Sequence, residues 1–206
     1  LVSKGIDVAI KGMTKLGSAT INMVEQSVGA FADYEQLVGG IETMFEDLSY
    51  DIIENADNAY RTAGLSTNEY LETVMGFSAS LTSSLQRQQG NIRGAAEKTD
   101  QIIIDMSDNA NKTGSSMESI QNAYSGFAKA NYTMLDNLKL GYGGTKEEME
   151  RLLADAEKIS GKHFDIQYFS DIAEAIHVIQ NEMGITGTTA AEASETISGS
   201  IASLRS

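Results

Sequence analysis

The sequence predicts an all-α fold, and three observations carry that prediction. Proline is absent from all 206 residues, where average usage of about 5% would place roughly ten. Apolar residues recur three and four apart along most of the chain, which is the period of an amphipathic helix. Four Ser/Thr-x-x-Glu motifs, each near a glycine and ahead of an amphipathic run, mark separate helix starts. The expected architecture is a compact multi-helix domain of about seven to eight helices, preceded by a long N-terminal helix.

Residues 2–37 read as that long helix, with a stripe through Val2, Ile6, Ala9, Met13, Leu16, Val24, Val28, Phe31 and Leu37. Gly5, Gly12, Gly17 and Gly29 interrupt it, each at a cost of about 1 kcal/mol relative to Ala, so the helix needs partners. Gly39-Gly40 is expected to break the pattern. It divides a connector helix over 1–38 from a compact domain over 39–206. A short amphipathic piece, Ile41–Leu48, should follow, and then a helix from Ser49 to about Ala63 with Ile52, Ile53, Ala56 and Tyr60 on one face. Gly64 stands where a left-handed cap ends such a helix.

The four capping boxes are Ser66/Glu69, Ser115/Glu118, Thr145/Glu148 and Thr189/Glu192. In each, the hydroxyl should accept from an early backbone N–H while the Glu reaches back to the cap's own N–H. They predict helices over 66–87, 92–111, 116–138, 146–160, 170–183 and 189–204. The expected core is Ile52, Ile53, Tyr60, Tyr70, Leu71, Val74, Phe77, Leu81, Ile103, Met106, Ile120, Tyr124, Phe127, Leu135, Leu138, Met149, Leu152, Leu153, Ile172, Ile176 and Ile179. A weak internal echo links Asp57–Gly64, Asp108–Gly114 and, in part, Asn122–Gly126. A shared helix-ending device explains it more simply than a duplicated hairpin.

Composition narrows the chemistry. No cysteine is present, which excludes disulfides, zinc–thiolate sites and thiol catalysis. With 29 acids against 15 bases the formal charge is −14, so the surface should repel nucleic acid and anionic membranes. The longest strictly apolar run is Ile102–Ile104, far short of a membrane span. The start, Leu1-Val2-Ser3-Lys4, reads neither as a translation start nor as a signal peptide, and implies a piece of a longer chain.

The candidate chemical groups read as structural. His163 and His177 are fourteen residues apart with no H-E-x-x-H spacing; His163 falls between helices and His177 on a helix, half-packed. Asp105-x-x-Asp108 with Asn109 and Asn111 suggests a calcium loop. It fails the EF-hand pattern, with Ala110, Lys112 and Ser119 at the third, fifth and twelfth places counted from Asp108. It reads as a solvated helix end. Gly141-Tyr142-Gly143-Gly144-Thr145-Lys146 opens a helix but lacks the GxxxxGK[ST] order. Glu147 and Glu148 already occupy the place of an anion, so a tight interhelical turn is expected. No catalytic, cofactor-binding or metal-ligating residue is assigned.

The run Asn131-Tyr132-Thr133-Met134-Leu135-Asp136-Asn137-Leu138-Lys139-Leu140-Gly141-Tyr142-Gly143-Gly144-Thr145-Lys146-Glu147-Glu148-Met149, continuing through Glu157, resembles a hallmark stretch of bacteriophage tail tape-measure proteins. Thr62–Tyr70 with Phe77–Leu81, and Met183–Ala193, look similar to the same family. The likeness runs in order over about residues 30–203. Gln86–Gly94, with Arg87 and Arg93, departs from the family's form, and Ala202–Ser206 stop where family members continue into a further helix.

The resemblance implies a segment of a long helical polypeptide from a phage or prophage of a Gram-positive-type host. Its implied place is the virion tail, assembled in the host cytoplasm, where it acts in tail-length determination and genome ejection. Implied partners are tail tube and tail-tip proteins, tail assembly chaperones and further copies of itself. The family's catalytic residues contribute nothing in this region, and no enzymatic activity is expected. A second expectation is a secreted or prophage-derived helical effector that binds without catalysis.

Overall fold

A computed structural model describes residues 18–46, 49–87 and 94–205. Eight α-helices follow one another among the described residues: α1 (Ser18–Phe45), α2 (Ser49–Thr62), α3 (Thr67–Arg87), α4 (Ala95–Thr113), α5 (Met117–Phe127), α6 (Lys146–Ser160), α7 (Phe169–Glu182) and α8 (Thr188–Arg205). A short 3-10 helix, Leu135–Leu138, lies between α5 and α6. Helix α4 is the hub, packing against α2, α3, α5, α7, α8 and the 3-10 helix. Helix α1 lies along α3 and α2, and α6 packs on α7.

The expected long N-terminal helix falls partly outside the described residues, since 1–17 are among those not described. Its described part corrects the expected break at Gly39-Gly40: α1 runs unbroken to Phe45. The pair serves contact instead of termination. A side chain at Gly40 would meet the end of Met75 on α3 at 2.9 Å, so the glycine lets the two helices approach closely. Thr43 Oγ1 donates to the Gly39 carbonyl at 2.8 Å. Ile41 and Phe45, expected on a separate piece, are therefore core residues of α1, and the boundary drawn at residue 38 falls inside a helix. The turn comes at Glu46, which has φ 47°, and Ser49 Oγ donates to its carbonyl at 2.7 Å.

Gly64 and Gly114, the glycines of the sequence echo, both adopt left-handed φ of 65° and 67°. The echo is a shared stop signal, as its simpler explanation holds. The helix expected over 116–138 is corrected: α5 ends at Phe127. The chain folds back there, with Lys129 and Asn131 both donating backbone N–H groups to the Gly126 carbonyl at 2.9 Å. Ala130 takes φ 58°, and the Asn131 carboxamide oxygen accepts from Thr133 N–H at 3.1 Å. Tertiary packing favours this turn, because it stacks Tyr132 on Phe127 at 6.4 Å between ring centroids.

Of the four capping boxes, one is complete. Ser66 N–H donates to Glu69 at 2.9 Å and Glu69 N–H to Ser66 Oγ at 3.3 Å. At α5 the cap is Ser116, accepting from Ser119 N–H at 3.2 Å. Ser115 instead donates to the Asn137 carbonyl at 3.0 Å, pinning the 3-10 helix. Thr145 caps α6, but its Glu148 turns elsewhere. Helix α8 begins at Thr188, and its cap is not local at all.

The core contains the expected residues with two corrections. Tyr60 is 57% exposed, and Ile53 is only partly buried. Ala56, Ala59 and Ala63 face inward in their place. A strip of alanines lets α2 lie close to its neighbours, so the bulky groups beside it turn outward. An aromatic contact joins α3 to α7, Phe77 to Phe169 at 6.1 Å, and within α5 Tyr124 lies 5.7 Å from Phe127.

Phe127 is buried among these rings. Phe127→Ala should lose about 3–5 kcal/mol of unfolding free energy, measured by urea denaturation. A loss under about 1 kcal/mol would show that its surroundings are not a packed core.

Candidate functional site

The most concentrated polar chemistry lies on α4. Of the run read as a solvated helix end, three residues are interior, Asp105 at 1% exposed and Asp108 and Asn109 at 0%, while Asn111 is exposed. The correction has a clear cause. Helix α4 is covered on several sides, so these three residues face other elements, and each makes a hydrogen bond there, with the Asn109 Oδ1 left without a protein partner.

Asp105 takes the Nδ1 hydrogen of His177 on α7, at 2.9 and 3.1 Å to its two oxygens. Gln101 Nε2, one turn back on α4, adds a bond of 3.0 Å. Asp108 reaches the start of α8. Its carboxylate accepts from Gly187 N–H at 2.6 Å and from Thr189 N–H at 2.8 Å. It is thus the N-cap of a helix about eighty residues away, satisfying donors that helix starts leave free. Glu192, expected to close a local capping box with Thr189, instead accepts from Asn111 Nδ2 at 3.1 Å. Asn109 Nδ2 donates to the Leu138 carbonyl at 3.1 Å.

Further polar ties run from the same helix and between its neighbours. Asp100 accepts from the buried Tyr70 hydroxyl of α3 at 2.8 Å, and burial, with Asp100 adding to it, pushes that hydroxyl far above the usual tyrosine range. Lys98 pairs with Glu174 of α7 at 3.2 Å, and Lys162 holds the other oxygen of the same carboxylate. Ser84 and Ser170 share a buried hydrogen bond of 3.0 Å between α3 and α7.

Lys98, Gln101, Asp105, Glu174 and His177 line a pocket of about 200 Å³ floored by Leu81, Ile102 and Ala173. The half-packed position expected of His177 is observed, with 32% of its side chain exposed. Asp105 orients the imidazole and favours its charged form, so the His177 pKa lies above its ordinary value, with burial opposing. Burial dominates at Asp105 and pushes its carboxyl up, with His177 pulling it back down. Such a pair can hold and exchange a proton. The Ser170 hydroxyl at the pocket edge is shared with Ser84. His163, between α6 and α7, is 84% exposed and contacts Glu157 at 2.5 Å. Among the described residues no three His, Asp or Glu side chains converge as a metal site, and no helix is long and apolar enough to cross a membrane.

The Gly141–Lys146 loop is the tight turn the sequence suggests. Its anion position is filled from within: Glu148 accepts from Gly143 N–H at 2.9 Å. Arg151 bonds Glu148 at 2.6 Å and the Gly141 carbonyl at 2.8 Å, and lies 4.3 Å over the Tyr142 ring. Arg151, followed by the Gly143 N–H, holds the Glu148 carboxyl below its usual range. Gly144 is there for space, since a Cβ would come 2.2 Å from the Thr133 carbonyl oxygen.

Sequence reasoning separately singled out Asp105, Asp108, Asn109, Asn111 and His177, but not their junction. No local spacing connects residues 72 or more positions apart. The one available signal was the density of short polar side chains in the last two turns of the helix, directly after the apolar run Ile102–Ile104. No family model, curated protein or solved structure matches this chain. The class defined by fold and site is an all-α domain with a polar central helix.

Three outcomes test this geometry. Asp108→Ala should cost about 1–3 kcal/mol and speed amide exchange at 187–192; unchanged exchange there would remove the capping role. His177 has a raised folded pKa, so its stabilisation is full below about pH 6.5 and is lost as pH rises through the folded value. The melting temperature should therefore fall from about pH 6 to pH 9, and His177→Gln should flatten that slope; an equal slope in the variant refutes the pairing. Gly144→Ala should cost about 1–3 kcal/mol by overpacking, and a neutral result in urea unfolding would contradict the close approach.

Proposed function

We propose that this chain is a structural segment of a bacteriophage tail tape-measure protein, serving tail assembly and length determination and later genome ejection. The observation that carries the reading is the ordered resemblance over about residues 30–203, densest from Asn131 to Glu157. That stretch forms one interlocked unit of 3-10 helix, glycine turn and α6. Its distinctive residues therefore have a mechanical reason to occur together: Gly144 for the close approach to Thr133, Glu148 and Arg151 for the closure of the turn.

The polar groups of the hub helix hold other helices in place, which suits a mechanical module. In this reading the segment is a folded knot in a longer helical polypeptide, and tube subunits, tail-tip proteins, assembly chaperones and further copies of the chain are its surroundings. The acidic surface, with 29 acids against 15 bases, keeps it from adhering to DNA passing the same lumen.

Antibodies raised against residues 39–206 test the role. They should detect the chain in purified tails at a fixed stoichiometry to tube subunits, within a reading frame of many hundreds of Pro-poor residues. Detection only as a free secreted protein, from a short frame with a signal peptide upstream, would overturn the reading in favour of a helical effector.

A further inference from the structure

The cleft between α4 and α7 holds about 200 Å³. That is several times the roughly 30 Å³ of a water molecule and below the about 300 Å³ at which pockets for larger ligands begin, so it suits a compact molecule. Two rungs cross it. Lys98 meets Glu174 at 3.2 Å, and Asp105 meets His177 at 2.9 Å. Lys98 and Asp105 are seven positions apart, about 10 Å along the helix. The polar groups stay within reach of solvent, with the side chains of Lys98, Glu174 and His177 at 42%, 30% and 32% exposed.

What the cleft offers a ligand follows from which hydrogen-bonding groups are already used. The Asp105 carboxylate is enclosed and held by His177 and Gln101. Asp108, the other buried acid, is taken by the start of α8. Both oxygens of Glu174 are held, one by Lys98 and one by Lys162. The cations keep groups to offer. His177 gives Nδ1 to Asp105, and among the described residues its Nε2 has no partner. Lys98 uses only part of its ammonium on Glu174. A charged imidazole presents Nε2–H as a donor, so the unused charged groups of the cleft are donors beside an apolar floor.

We propose that this cleft binds a small monocarboxylate, its carboxylate accepting from His177 Nε2–H with the Lys98 ammonium as counter-charge, and its apolar body over Ile102 and Ala173. Binding takes the protonated ring and is therefore linked to pH. Affinity is full below the folded His177 pKa, which lies above its ordinary value, and falls as pH rises through it. Of the elements packed on α7, α4 faces the ring with Asp105, Asp108 and Lys98, and α7 itself with Glu174. Lys162, just past α6, reaches that Glu174; Leu81 of α3 is uncharged, and burial holds Tyr124 of α5 neutral. The inference stands on the cleft and does not depend on the tail assignment.

The chain has two histidines, and His163, 84% exposed and outside the cleft, serves as the internal reference. Sodium benzoate and the uncharged benzamide are titrated into the full chain, with the His177 Cε1–H and Ala173 methyl signals followed by NMR. At about pH 6 benzoate should shift both signals to saturation, leave His163 in place and raise the His177 pKa, and benzamide should not bind. At about pH 9 benzoate should bind at least about fivefold more weakly. His177→Gln can still donate to Asp105 but carries no charge, so by the Ala173 methyl it should bind at least about fivefold more weakly at the lower pH and lose the pH dependence. Lys98→Gln should weaken binding as well, whereas Lys112→Gln, equal in charge removed and fourteen positions further along α4, should change it less than about twofold. No saturating shift with benzoate, equal binding of benzamide, an equal shift of His163, or unchanged affinity in His177→Gln would overturn the proposal.

Discussion

The whole arrangement depends on two buried carboxylates on one helix. Asp105 and Asp108 sit one turn apart on α4, with almost no solvent contact. A buried charge is costly unless it is paired and hydrogen-bonded. Each therefore constrains whatever packs beside it, Asp105 by requiring the His177 ring of α7, and Asp108 by requiring the free N–H groups at the start of α8. Apolar contact alone would let helices slide over one another, whereas these bonds admit one register. Asn109 and Asp100 extend the same logic to the 3-10 helix and to α3.

That constraint explains how so glycine-rich a chain holds a single packing. Nineteen glycines in 206 residues carry an entropic cost on folding. Several are spent where structure demands them: Gly40 under Met75, Gly144 under Thr133, and the left-handed stops at Gly64, Gly114, Gly161 and Gly184. The stops produce short helices, and short helices need lateral ties. The polar side chains of α4 supply them, so the central helix is more polar than central position alone would lead one to expect.

What was legible in the sequence follows from the range of each signal. Local signals read well. Nearly all the residues that helical periodicity placed in the core are buried, although it left out Ile41, Phe45, Phe164, Phe169 and Ile185; Gly64 declared its stop, and Ser66 with Glu69 formed the box its spacing describes. Signals that depend on distant partners were misread. Asp108 resembled a solvated helix end because nothing nearby shows that Gly187 and Thr189 will cover it. Thr189 and Glu192 matched a capping box that a more distant carboxylate displaces. Gly39-Gly40 resembled a break because the close approach of Met75 is not written locally. At Gly126 the turn was signalled, by glycine followed by Asn131, but the apolar pattern running on to Leu138 masked it. Of the pocket's polar residues Asp105 and His177 were visible, but not Lys98, Gln101 or Glu174, nor the meeting of any of them.

The central claim is that α4 is the part of the fold on which the others register. Native-state hydrogen exchange along the whole chain tests it most directly. Amides of residues 102–109 should be among the slowest and should exchange only with global unfolding, while α1 and α8 open at lower free energy. If α4 instead exchanges through a local opening, with α6 and α7 remaining protected, its carboxylates ornament a core formed without them, and the account fails.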